Sequence, residues 1–161
     1  MDIFEFALEI EANSERYYRE LADRCDNPAL NRILTMLAED EVKHYQTILA
    51  MRDGSHPEMP LTQVLPRARD RFSAMKKTPA DLCFNDDEIA LYRQALTKED
   101  QAENFYREKA ALADDPGSAK LLEQLADEER RHRFLIEHII EFLSRPNTWI
   151  ENAEFNHLEE Y

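Results

Sequence analysis

Glycine is almost missing: Gly54 and Gly117 are the only two in 161 residues. Tight hairpins need residues that tolerate positive φ, so this scarcity argues against a fold built from short strands. Ala, Leu, Glu and Arg recur throughout and favour helix. With 43% hydrophobic residues over this length, a single all-α domain with its own core is expected. Cysteine is scarce as well. Cys25 and Cys83 stand far apart and form no Cys-x-x-Cys pair, which excludes a disulfide framework and a thiolate metal knuckle and leaves two ordinary thiols.

No run of Lys or Arg interrupts the acidic composition, and the formal net charge is −14. Such a surface repels phosphate, so neither nucleic acid nor an anionic membrane is an expected partner. No segment approaches 18 apolar residues, and the start, Met1-Asp2-Ile3-Phe4-Glu5-Phe6, has no basic stretch leading into an apolar one. A cytoplasmic location is the expectation. Acidic surfaces also concentrate cations, which is compatible with a metal client but is weak evidence by itself.

What is present is a repeat. Glu11, Glu15, Tyr18-Arg19-Glu20 and Ala22 reappear 88 positions later as Glu99, Glu103, Tyr106-Arg107-Glu108 and Ala110. The same offset carries Asn27-Pro28 onto Asp115-Pro116, Leu34 onto Leu122, Leu37-Ala38 onto Leu125-Ala126, and Glu41 and His44 onto Glu129 and His132. Two homologous segments are therefore joined in one chain. Within the first, Ile3, Phe6, Ile10, Tyr17 and Leu21, then Leu30, Ile33, Leu37, Tyr45 and Ile48, recur at helical spacing. An N-capping Asn27 or Asp115 before a proline separates the two helices of each copy, making each an antiparallel hairpin.

The hairpins are expected at about 1–53 and 86–144, joined by a proline-containing crossover at about 54–85 in which Leu65 to Met75 forms a helix. A connection along the bundle's length is expected to start the third bundle helix at the same end as the first, giving an approximate two-fold relation. A C-terminal segment at about 146–161 follows Pro146 and suits a short further helix. Its apolar Trp149, Ile150 and Phe155 are the motive for expecting a homodimer.

One Glu-x-x-His pair means little in a chain with 21 glutamates, and Glu154 with His157 reads as a chance surface pair. The conjunction is stronger. Glu41-x-x-His44 and Glu129-x-x-His132 each follow a glutamate, Glu11 or Glu99, by 30 residues, and all six residues are identical across the repeat while neighbours Ile10/Lys98, Ala12/Asp100 and Val42/Arg130 are not. Residues three apart share a helix face. Four helices would then each turn a carboxylate inward and two would add an imidazole, the ligand set of two-metal carboxylate bundles.

On Glu11 with Tyr18, Glu41-x-x-His44, Glu99 with Tyr106, and Glu129-x-x-His132, the chain resembles the ferritin-like superfamily, including rubrerythrin-type di-iron domains and bacterioferritins, over most of its length. The resemblance implies a four-helix bundle in which Glu11 and Glu99 are terminal carboxylates, Glu41 and Glu129 bridge two metals, and His44 and His132 give one nitrogen each. Oxygen and imidazole donors suit iron, or manganese, with zinc as a substitute. Asp40 and Glu128 are placed either to accept an imidazole N–H from the opposing copy's histidine or to lie at the surface. Tyr18 and Tyr106 are expected to bond ligand carboxylates or to act as oxidisable residues. Glu15 and Glu103 suit either an access route or an arginine pair.

The resemblance also implies an oxidoreductase that takes Fe(II) and reduces peroxide or dioxygen with an external electron donor. Rubrerythrins usually carry a further carboxylate three residues after the third helix's ligand, where this chain has Ala102, and a rubredoxin module with Cys-x-x-Cys, which this sequence lacks. The ligand spacing is similar to bacterioferritin, so iron oxidation and storage, or non-enzymatic iron binding, stand as alternatives.

Overall fold

The computed structural model describes residues 2–75 and 86–144. Cys83 and the segment holding Trp149, Ile150, Glu154, Phe155 and His157, with the helix and dimer contact expected there, lie outside the described residues. Five helices occur among the described residues: α1 (Ile3–Asp23), α2 (Pro28–Arg52), α3 (Val64–Met75), α4 (Asp86–Leu112) and α5 (Pro116–Ser144).

Three of the starts have a clear local cause. Asp2 and Glu5 form a reciprocal capping box at α1. Asn27 Oδ1 accepts the N–H of Leu30 at 3.0 Å, and Asp115 Oδ2 accepts that of Ser118 at 2.8 Å. Pro28 and Pro116 open the helices that these two residues cap, where a missing N–H costs nothing. Gly54, at φ 86°, follows the end of α2 in a conformation that a side chain would strain.

Helices α1 and α2 pair as one antiparallel hairpin, α4 and α5 as the other. Tyr17 bonds the carbonyl of Leu91, whereas Phe6 packs against Phe105 with ring centroids 5.1 Å apart. Hence α4 runs antiparallel to α1 and begins where α1 ends, contrary to the expected polarity. The reason is geometric: α2 returns to the end where α1 began, so a connection spanning the bundle delivers the chain to the opposite end. The approximate two-fold relation survives, with its axis across the bundle.

Helix α3 lies in that connection. Its Val64, Leu65, Ala68 and Phe72 are buried against α2 and α5, and Phe72 meets Phe142 edge-on at 5.3 Å. At the other end of the connection, His56 lies across Gly117, where an added Cβ would come within 2.8 Å of the ring, and its Nε2 is 2.6 Å from Asp115 Oδ2.

The core is divided in two. One apolar cluster, around Leu30, Ile33, Leu37, Phe72 and Ile139, includes Tyr18; the other, around Ala7, Ile48, Leu122 and Leu125, includes Tyr106. Between them lies a buried polar layer. The inward stripe of α1 is Ala7, Leu8, Glu11, Ser14, Tyr18, Leu21 and Ala22, while Ile3 and Phe6, which share the apolar period of the helix, are 40% and 45% exposed. Ala7 and Leu8 take the inward places in the same turns.

Candidate metal centre

Four glutamates, one from each long helix, meet at mid-bundle. Glu11, Glu41, Glu99 and Glu129 are at most 1% exposed, as are Tyr106 and His132, and His44 and Tyr18 are 2% exposed. Among the described residues three sets of ligand-type atoms form, each within 4.8 Å: Glu11, Glu41, His44 and Glu129; Glu41, Glu99, Glu129 and His132; and, on the outer side of the imidazoles, His44, Glu128 and His132. Glu41 and Glu129 belong to both of the first two. Glu41 turns Oε2 to His44 Nδ1 at 3.3 Å and Oε1 to His132 Nδ1 at 3.1 Å. Glu129 turns Oε1 to His44 at 3.0 Å and Oε2 to His132 at 3.7 Å. Glu11 approaches His44 alone, at 3.3 Å, and Glu99 approaches His132 alone, at 3.7 Å.

This arrangement fits a metal ion by a direct criterion. Glu11 Oε2, Glu41 Oε2, His44 Nδ1 and Glu129 Oε1 are fully buried and none has a hydrogen-bond partner, although the nitrogen is 3.0–3.3 Å from all three oxygens. They crowd together without aiming at one another. Unsatisfied buried polar atoms are rare and costly, and four of them converging on one space is the donor arrangement of a cation site.

The electrostatics point the same way. Burial, then the charge of Glu41, raises the Glu11 carboxyl to about 8. Burial and the charges of Glu41, Glu11 and Glu99 hold Glu129 well above the carboxylate range. Burial opposes charge on Glu41 too, but the approach of His132 and His44 outweighs it and keeps that carboxylate ionised. Burial likewise opposes charge on the imidazoles, yet Glu129 beside His44 and Glu99 beside His132 hold both protonated well above the usual range. Protons thus balance the charge that two divalent cations would neutralise.

The family model Rubrerythrin matches residues 2–133 and again residues 90–156. The chain belongs to the rubrerythrin family. No curated protein and no solved structure matches it. The matches overlap over 90–133, as an internal duplication would produce, and they make this bundle a ferritin-like domain of a di-iron carboxylate family.

Around this rubrerythrin-type centre the two copies brace each other. The Tyr18 hydroxyl donates to Glu99 Oε1 and the Tyr106 hydroxyl to Glu11 Oε1, so each tyrosine reaches a buried glutamate of the other copy. Burial, then the charges of Glu99 and Glu11 respectively, raises both phenol pKa values. Asp40 Oδ2 lies 3.2 Å from His132 Nε2, and Glu128 Oε2 lies 3.9 Å from His44 Nε2. Burial would raise the pKa of Asp40, but His132 and Thr62 lower it to about 2.

Glu15 and Glu103 are not among the clustered atoms. Glu15 pairs with Arg19 at 2.8 Å, and Glu103 pairs with Arg107 at 3.4 Å and Arg133 at 3.0 Å. Ala102, 2% exposed, occupies the place of a further carboxylate with a methyl group. A residue that the sequence does not announce is Thr62, which bonds both Asp40 and Glu128. It falls outside the repeat, among prolines, and no spacing marks it. Beside it a cavity of about 280 Å³ is lined by Asp40, Lys43, His44 and Glu128.

Proposed function

We propose that this chain binds two metal ions, iron being the best match to its donors, and reduces peroxide or dioxygen with electrons from iron and an external donor. Glu11, Glu41, His44 and Glu129 hold one ion, and Glu41, Glu99, Glu129 and His132 the other. The observation that carries the reading is the division of Glu41 and Glu129, each of which turns one oxygen to each histidine. Carboxylate and imidazole donors favour iron or manganese over a metal that prefers sulfur, and zinc can substitute. When bound, a reduced metal pair supplies two electrons to one acceptor molecule.

The chain's own groups do the rest. Glu41 and Glu129 hold the two positions adjacent. Asp40 faces His132 Nε2 and would accept its proton when Nδ1, the nitrogen that meets Glu41 in the metal-free chain, gave up its own proton to bind metal. Tyr18 and Tyr106 hold Glu99 and Glu11 in place and keep their phenol protons at the edge of the centre. The apolar clusters at either side exclude bulk water from the layer between them.

A second reading, iron oxidation for storage or simple iron buffering, is favoured by Ala102, whose methyl group adds no further ligand. Anaerobic loading with Fe(II), followed by a stoichiometric pulse of H2O2 or of O2, separates the two. Rapid oxidation at two irons per chain, faster with peroxide, supports the peroxidase. Faster oxidation by O2 supports iron oxidation, and iron that binds and stays ferrous supports the buffer.

A further inference from the structure

Asp40 and Glu128 occupy equivalent places in the two copies, 88 positions apart, yet the crossover treats them differently through one residue. Thr62 is 9% exposed and stands two residues before α3. Its hydroxyl accepts the N–H of Val64 at 3.1 Å and donates to Asp40 Oδ2. Because the start of α3 uses the oxygen as an acceptor, the single hydroxyl proton is directed to Asp40. The backbone N–H of Thr62 goes instead to Glu128 Oε1, at 3.1 Å, an oxygen that also faces Arg131 at 3.5 Å.

The consequence reaches the histidines. Asp40, held on one side by Thr62 and on the other by Lys43 at 3.3 Å, sits 3.2 Å from His132 Nε2 with hydrogen-bond geometry. Glu128, drawn to the crossover backbone, stays 3.9 Å from His44 Nε2, beyond hydrogen-bond length. The cavity of about 280 Å³ also borders His44 and not His132. A carboxylate that accepts the outer N–H of a ligand imidazole fixes its tautomer and raises its basicity.

We propose that Thr62 is a positioning residue that fixes Asp40 against His132, making the metal position at His132 the tighter of the two and leaving the position at His44 weaker and faster to exchange. The proposal rests on the metal-pair reading above. It concerns the hydrogen bonds behind the ligands, so it can fail while that reading stands.

The test is titration of the metal-free full chain with Co(II), followed by visible absorption, with far-ultraviolet circular dichroism on each variant. Wild type is expected to take up two ions in steps that differ by about tenfold or more in affinity, and Thr62→Val to weaken the tighter step by about 10–100-fold so that the steps merge. Thr62→Ser, which keeps the hydroxyl, should reproduce the wild-type curve. Asp40→Asn, which keeps the shape and removes the charge, should weaken the same step and carries the test if Thr62→Val loses helicity. His132→Ala should remove the tighter step and His44→Ala the weaker. Two equal steps in wild type, or a Thr62→Val curve in which both steps match wild type or weaken alike, overturns the proposal. Uptake of fewer than two ions by wild type overturns the metal-pair reading instead.

Discussion

Glu41 and Glu129 hold equivalent positions in the two copies and share one candidate role, but their carboxyl pKa values shift in opposite directions in the metal-free chain. Burial opposes charge on both; the two imidazoles outweigh it and lower the pKa of Glu41, whereas burial and the charges of three other carboxylates raise that of Glu129. Removing a partner from a buried charged cluster costs about 3–5 kcal/mol. Glu41→Gln should therefore lower the unfolding free energy of the metal-free protein by about that amount in urea titrations, and by more than Glu129→Gln does. Equal losses would contradict this assignment of charge. Replacing either residue by alanine should abolish uptake of a metal pair while circular dichroism shows the helices intact, because helicity rests on apolar packing.

The described part of the crossover, 54–75, is tied down by features that only a folded chain brings together. Near its start, Gly54 takes positive φ and His56 lies on Gly117; further along, Thr62 joins α2 to α5 and Phe72 packs on Phe142. Gly54→Ala should destabilise the protein by about 1 kcal/mol, read as a lower urea midpoint with unchanged slope. A changed slope would instead mean that the folded state itself had opened. Asn27→Ala should cost about 0.5–2 kcal/mol through the lost cap, a comparison that shows whether the helix starts or the crossover contributes more.

For the molecule as a whole, pH reads out the central charge layer. Glu11 titrates near 8 in the folded chain against 4.5 when unperturbed, and Glu129, His44 and His132 are all raised. A group with a raised folded pKa contributes stability that is complete below its unfolded value and is lost as pH rises through its folded one. Metal-free protein should thus melt at progressively lower temperature between about pH 5 and pH 8. Asp40 and Glu41, which are lowered, act in the opposite sense only in more acidic solution. Loading with Fe(II) or Co(II) displaces the protons and should flatten the slope. A metal-free melting temperature that rises over this window would contradict the protonation pattern. Among the described residues, no helix is long and apolar enough to cross a membrane.

By itself the sequence determined the helical class, the hairpins and the capped starts of α2 and α5, and it singled out the six glutamates and histidines that meet at mid-bundle, because repeat spacing and helical period are local properties that survive without coordinates. It did not say which face of α1 turns inward: Ile3 and Phe6 keep the apolar period yet are exposed, since apolar period alone ignores polar residues that claim an interior stripe. Only the tertiary structure decided that α4 runs antiparallel to α1, that each tyrosine serves the opposite copy, and that Glu15 and Glu103 pair with arginines. Thr62 was beyond any reading of the string. Its partners lie 22 and 66 residues away on two different helices, and a contact between distant elements leaves no period in the sequence for spacing to reveal.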